Sequence, residues 1–219
     1  MPIYIFFHNF TTEGFTNYPY TDIYRTSNFN LTEKMDILQY FDQINPLSEK
    51  AKLALKDITK EVSYKKNEII QQAGNSCKTI YFVKEGITRI FYYKDGNDIT
   101  EHFAFPSDVI VRAESLFTGK PTQKSIEALE ATEIIAIDSA KLFSLYDQHH
   151  DLERLFRLIF EKEYVNTIKR LESLQFKNAT ERYSELLDKT DFVQKIPLKY
   201  LAFYLGITQV SLSRIRATI

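Results

Sequence analysis

Three hydrophobic periods succeed one another along the chain, and each marks a different kind of structure. The segment Met35-Asp-Ile-Leu-Gln-Tyr-Phe-Asp-Gln-Ile is amphipathic at helical spacing, and Pro46 stops it. Ser48 then caps a second helix running to about Ile58, with Leu53, Leu55 and Ile58 among its apolar positions. From Val62 to Asp138 the period shortens to two. Ile80-Tyr-Phe-Val83 meets Gly86, Ile87 to Tyr93 follows as another β-rich run, and Asp95-Gly96 signals a hairpin before Ile99 to Phe105. Lys124 to Leu129 and Thr132 to Ile137 read as a short antiparallel pair. Many short strands with tight turns and no long helix between them predict a β-sandwich, barrel or roll.

At about Ser139 the period lengthens again. Leu152, Leu155, Ile159, Tyr164, Ile168, Leu171 and Leu174 recur at threes and fours, with charged residues between them and no internal Gly or Pro. The stripe is close to a coiled-coil seam, and Phe156, Leu158 and Phe160 widen it toward a second contact with the β-rich region. A dimerisation helix is therefore expected over 139–176. The plainer alternative is one long helix packed on its own domain.

The last stretch is the most informative. Asn178 and Glu181 form a capping-box-like pair that opens a helix to Lys189, burying Tyr183, Leu186 and Leu187. Pro197 suits a helix start, Leu201, Ala202 and Leu205 face inward, and Gly206 supplies a left-handed turn. Ile207 plugs the corner, Thr208 caps the next helix, and Leu212 and Ile215 face inward from it. That leaves Gln209, Val210, Ser211, Ser213, Arg214 and Arg216 outward or at the edges. These are residue types that read base edges or hold phosphates. The pattern predicts a DNA-binding helix-turn-helix over 177–219. A plain αα-hairpin with solvated charges is the bland alternative.

Charge changes the picture only locally. The 219-residue chain carries a net charge of −1, so it is no globally basic binder. Between Lys177 and Ile219, however, seven Lys or Arg face four Asp or Glu. With 44% hydrophobic residues the chain can bury a real core, and its single cysteine excludes an internal disulfide framework or a cysteine-ligated cluster. A cytoplasmic protein fits this best, with no membrane association: no apolar run approaches the ~20 residues a span requires, and the start lacks the basic region and cleavage site of a signal peptide. Residues 1–34 carry nine aromatics without persistent period. They read as an N-terminal extension, disordered or owed to start-site choice.

The order β-rich region, long helix, helix-turn-helix, together with Leu205-Gly-Ile-Thr-x-x-Ser-Leu-Ser-Arg-Ile-Arg, resembles the Crp/Fnr family of transcriptional regulators over about Met35 to Ile219. Gly74 through Gly86 resembles that family's first β-roll signature, and Ser125-Ile-Glu-Ala-Leu-Glu-Ala-Thr-Glu the strands that close the roll. The resemblance implies an α+β fold: an antiparallel, cyclic-nucleotide-binding-like β-roll sensor over 35–138, a dimerisation helix, and a winged-helix DNA-binding domain. It implies that Gln209, Val210 and Arg214 lie over base edges, with Thr208 and Ser211 nearer phosphates and Lys199 and Arg216 beside them. Implied partners are double-stranded DNA with a pseudo-palindromic operator, a second copy of the chain, and a small-molecule effector; RNA polymerase stays open as a further one.

Two departures from the family pattern matter. Cyclic-nucleotide-binding members flank the short helix of the roll with a Gly-Glu pair and an Arg-Ser pair. Here Arg112-Ala113-Glu114 keeps the acid without the glycine, and Lys124-Ser125 replaces the guanidinium with a point charge. Arg112, Glu114, Lys124 and Ser125 are the candidate effector-pocket residues, and cyclic AMP is not the expected ligand. Second, no hairpin follows Arg216, so any wing must be built upstream, around Phe192 to Ile196.

Other candidates are weaker. His149 and His150 diverge by roughly 100° on a helix and read as a solvated helix start rather than a metal pair. His102 reads as a roll surface or pocket residue, and the turn beside Cys77 leaves its exposure open, with only Lys78 as a basic neighbour. No P-loop, nucleophile elbow or dinucleotide fingerprint is present, so neither an enzyme nor a cofactor is expected. The rival function is a ligand-binding β-roll module whose helical tail serves protein contacts.

Overall fold

The computed structural model describes residues 37–189 and 191–219, which fall in one compact unit; the extension at 1–34 lies outside the described residues. Two short helices lead in, α1 (Ile37–Ile44) and α2 (Glu49–Asp57). Ser48 caps α2 by accepting from the Ala51 N–H, as the sequence suggests, and Leu55 is buried while Leu53 stands in solvent.

Eight strands follow: β1 (Thr59–Tyr64), β2 (Ile69–Gln71), β3 (Thr79–Glu85), β4 (Thr88–Lys94), β5 (Asn97–Ala104), β6 (Val109–Ile110), β7 (Ser125–Ala128) and β8 (Thr132–Asp138). A six-residue helix, α3 (Ala113–Thr118), separates β6 from β7. The strands form two antiparallel sheets, ordered β1-β8-β3-β6 and β2-β7-β4-β5. Asp95-Gly96 makes the expected hairpin, placing Lys94 opposite Asn97.

The expected pairing of the last two runs is not what forms. β7 pairs with β2 and β4, whereas β8 pairs with β1 and β3, in the other sheet. Leu129 donates to the Ile87 carbonyl at 2.8 Å, and the chain then crosses between the sheets. A short link looks like a hairpin in sequence, but here each strand gains two partners instead of one.

Gly86 makes the corresponding crossing from β3 to β4. Its φ is +95°, and a Cβ there would meet Thr132 Oγ1 at 2.5 Å and the Ala131 carbonyl at 2.7 Å. No side chain fits, so the glycine locks the two crossings together.

Tyr81, Val83, Ile90, Ile110, Ile126 and Ile134 fill the space between the sheets. The outer face of the first sheet, with Ile80, Phe82, Ile135 and Ile137, is covered by α1, α2 and two further helices, α4 (Ser139–Leu145) and α5 (His150–Phe176). Sheets apolar on both faces explain why Ile80-Tyr-Phe-Val83 reads as an unbroken hydrophobic run. The region after Ser139 is thus two helices, broken over Tyr146–His149, rather than one.

The 27 residues of α5 divide into two halves. Leu152, Leu155, Phe156 and Ile159 are at most 4% exposed and belong to the chain's own core. Leu155 and Ile159 therefore cannot serve the intermolecular seam expected of them. Tyr164, Ile168, Leu171 and Leu174 remain exposed.

Where α5 leaves the core, three acidic groups converge: Tyr40 of α1, Asp108 of the β5–β6 turn and Glu163 of α5, with the Lys162 ammonium partly offsetting them. Burial pushes the Asp108 carboxyl up to about 6, although its Oδ2 accepts from the Phe105 N–H at 2.9 Å. Burial, then the Asp108 charge, pushes Glu163 up to about 7, against a hydrogen bond from Asn166. Folding therefore favours the protonated carboxyls, and their contribution to stability falls as pH rises from about 4 through 7. His102, lowered to about 4 by burial and the Arg170 charge, opposes this only below its ordinary value of 6.5. Urea midpoints measured between pH 6.5 and 8 should decline in the native chain and decline less in Glu163→Gln. Parallel curves would show that Glu163 is not held in a charge-averse site.

Candidate nucleic-acid interface and effector cleft

The C-terminal region is built from α6 (Ala179–Lys189), a 3-10 turn (Asp191–Lys195), α7 (Leu198–Tyr204) and α8 (Gln209–Thr218). The Asn178–Glu181 capping box is complete: the Asn178 N–H donates to Glu181 Oε2 at 2.8 Å, and the Glu181 N–H to Asn178 Oδ1 at 3.1 Å. Tyr183, Leu186, Leu201, Ala202, Leu205 and Leu212 are buried together, with Val193 and Ile196 from the segment between. That segment is where a wing was expected. It is a 3-10 turn, and no strand forms after Asp138 among the described residues, because Val193 and Ile196 are drawn into the helical core.

The α7–α8 turn has the predicted parts. Gly206 has φ +68°, Ile207 is half-buried in the corner, and the Ile207 N–H donates to the Ala202 carbonyl at 3.0 Å. Thr208 Oγ1 accepts from the Ser211 N–H at 3.1 Å and caps α8.

Two arginines complete the turn, and sequence reasoning missed both. Arg182 donates through Nε and Nη2 to the Leu205 carbonyl at 3.1 and 2.8 Å, and Arg170 Nη2 donates to the Tyr204 carbonyl at 2.5 Å. They satisfy carbonyls that the end of α7 leaves without helical partners. Arg182 had counted toward the basic face; it is instead part of the frame. Its spacing in α6 carries no local sign of this, since the partner lies 23 residues away.

Once Leu212 is buried and Ile215 half-buried, α8 presents Gln209, Val210, Ser211, Arg214 and Arg216 to solvent, with Thr208 at its start and Lys199 exposed on α7. Thr208 and Ser211 also hydrogen-bond each other through their hydroxyls at 2.9 Å. These seven residues are open to solvent, and the two arginines and Lys199 among them are positively charged.

A separate cleft of about 400 Å³ opens between the β4–β5 hairpin, α3 and the loop to β7. Tyr92, Tyr93, Glu101, Glu114 and Lys124 are among its walls, and Lys124 Nζ pairs with Glu101 Oε2 at 2.6 Å. Of the four candidate pocket residues, the structure brings only Glu114 and Lys124 to this cleft. Arg112 is 4% exposed, and its guanidinium donates to the carbonyls of Gln72, Asn75 and Lys124. Ser125 is buried and accepts from the Ala73 N–H at 3.0 Å. Both tie the cleft's loop to the chain around β2 instead of facing a ligand.

The remaining candidates resolve simply. Cys77 is 3% exposed, its own N–H donating to the Ser115 hydroxyl of α3 at 2.8 Å. His149 and His150 stand at the start of α5, and no cluster of potential metal ligands occurs among the described residues. No described helix is long and apolar enough to cross a membrane.

Residues 61–149 match the family model of the cyclic nucleotide-binding domain. No curated protein matches the chain. Among solved structures, FixK2 from Bradyrhizobium japonicum is similar at 22% identity, covering 74% of this chain and 84% of that one, with a TM-score of 0.62. A protein from Eubacterium rectale described as a transcriptional regulator of the Crp/Fnr family gives 20% identity, coverage of 82% and 87%, and a TM-score of 0.63. A double mutant of CooA from Carboxydothermus hydrogenoformans gives 17% identity, coverage of 85% and 84%, and a TM-score of 0.62. The chain shares the fold of these structures, one of them described as a Crp/Fnr-family regulator, and its β-rich part is similar to the cyclic nucleotide-binding domain.

Proposed function

We propose that this protein is a homodimeric, DNA-binding transcriptional regulator of the Crp/Fnr type. The observation that carries the reading is the exposed, basic outer face of α8, set on a capped and closed helix-turn-helix. In this reading residues 35–138 sense a signal, 139–176 pair two copies, and 177–219 bind DNA. Gln209, Val210 and Arg214 meet base edges in the major groove, while Lys199, Thr208, Ser211 and Arg216 position the helix on the backbone.

Dimerisation is assigned to the outer half of α5. Tyr164, Ile168, Leu171 and Leu174 recur at threes and fours and are exposed by 37–68% in the single chain. Pairing there would set two recognition helices about 34 Å apart, one turn of B-DNA.

The effector is assigned to the cleft beside α3, and it is not cyclic AMP. Arg112, which donates to the carbonyl of the cleft residue Lys124, is spent on three backbone carbonyls, and Lys124 is neutralised by Glu101. Neither offers the fork that a cyclic phosphate requires.

Two measurements test the reading. In sedimentation, Ile168→Asp should yield monomer, because it would place an unpaired charge in a dry seam; a dimeric variant would move the interface elsewhere. With DNA selected from a random pool, Arg214→Ala should lose about 1–3 kcal/mol and relax preference at one position of each half-site. Lys199→Ala should weaken all sequences alike and flatten the salt slope by about one unit. Intact affinity and specificity in both variants would favour the rival, a ligand-binding module whose helical tail contacts protein.

A further inference from the structure

The second sheet also has an outer face, and the helix-turn-helix lies on it. Phe103 of β5 meets Tyr204 of α7 with ring centroids 5.0 Å apart, and Phe105 stacks on Phe192 of the 3-10 turn at 5.6 Å. Between strands β4, β5 and β7 sits a guanidinium, Arg89, 1% exposed. Its Nε donates to Glu127 Oε2 at 2.7 Å, Nη1 to Asp98 Oδ1 at 2.6 Å and Thr100 Oγ1 at 3.0 Å, and Nη2 to Asp98 Oδ2 at 2.8 Å. Nη2 also pairs with Glu127 Oε2 at 2.6 Å, so all five donors are engaged within the roll. The Phe91 ring lies 4.2 Å from the guanidinium carbon, and the ring of Tyr200, from α7, lies 3.6 Å from it.

We propose that this cluster is a releasable latch: Tyr200 closes over Arg89 and fixes the helix-turn-helix to the β-roll, so that the orientation of the recognition helix is set by the sheet. Two features separate it from ordinary core packing. Every hydrogen bond of Arg89 is made inside the roll, so lifting α7 away breaks none of them and leaves no orphaned donor. At Arg89 itself the surface uncovered carries one guanidinium and two carboxylates, which water solvates readily, beside the apolar side chains of Ile87, Phe103 and Leu129. The guanidinium against the tyrosine ring, strengthened by exclusion of water, holds the latch shut together with the apolar contacts of Ile87, Phe103 and Leu129. The aromatic contacts at Phe103 and Phe105 flank the latch and close with it.

Hydrogen exchange on the full chain tests this directly and does not depend on DNA binding. Tyr200→Ala should speed exchange in α6, α7 and α8 by about ten-fold, equivalent to about 1.4 kcal/mol of lost docking, while β4, β5 and β7 exchange as before. Tyr200→Phe keeps the ring and should behave as the native chain. Unchanged protection of the three helices in Tyr200→Ala would overturn the latch. So would faster exchange spread equally through the strands, because Tyr200 would then be a support of the roll itself.

Discussion

Neither sheet of this protein has a face that can be left to water, and the rest of the architecture answers that constraint. The inner faces meet each other through Val83, Ile90, Ile126 and Ile134. The outer face of the first sheet, led by Ile80 and Phe82, needs α1, α2, α4 and half of α5. The outer face of the second, through Ile87, Phe103 and Leu129, is closed by the helix-turn-helix. A helical region that could have been tethered by a linker alone is thereby part of one hydrophobic assembly with the strands. Its placement is a matter of burial.

The same constraint divides α5. A helix with apolar positions along its whole length buries those of its first half in the core and leaves Tyr164, Ile168, Leu171 and Leu174 of its second exposed. Periodicity reports the stripe without saying which part of it the chain consumes itself. Leu155 and Ile168 carry the same pattern in sequence, yet one is wholly buried and the other open to solvent.

What was legible in the sequence was local. The caps at Ser48, Asn178 and Thr208, the Asp95-Gly96 hairpin and the Gly206 turn are each determined within four or five residues, and each formed as read. The resemblance to the Crp/Fnr family added the order of the parts, which the fold matches. What was not legible depends on distant partners. β7 and β8 look like a hairpin until the sheets claim them separately. Arg182 and Arg170 look like surface charge until the end of α7 takes them. Arg112 looks like a pocket residue, yet three backbone carbonyls hold it, two of them from 37 and 40 positions upstream.

The helix-turn-helix is gripped from two sides. Arg170 holds it to α5 through the Tyr204 carbonyl, and Phe103 holds it to the roll through the Tyr204 ring. One residue is thus shared by both grips, so the small domain acts as a chock wedged between roll and helix. The outer half of α5 is about 25 Å long at 1.5 Å per residue, and a free rod of that length would swing widely about its buried root. With the chock in place, a pivot of the rod strains the contacts of Tyr204 with Arg170 and Phe103, which couples the angle of α5 to the bearing of α8.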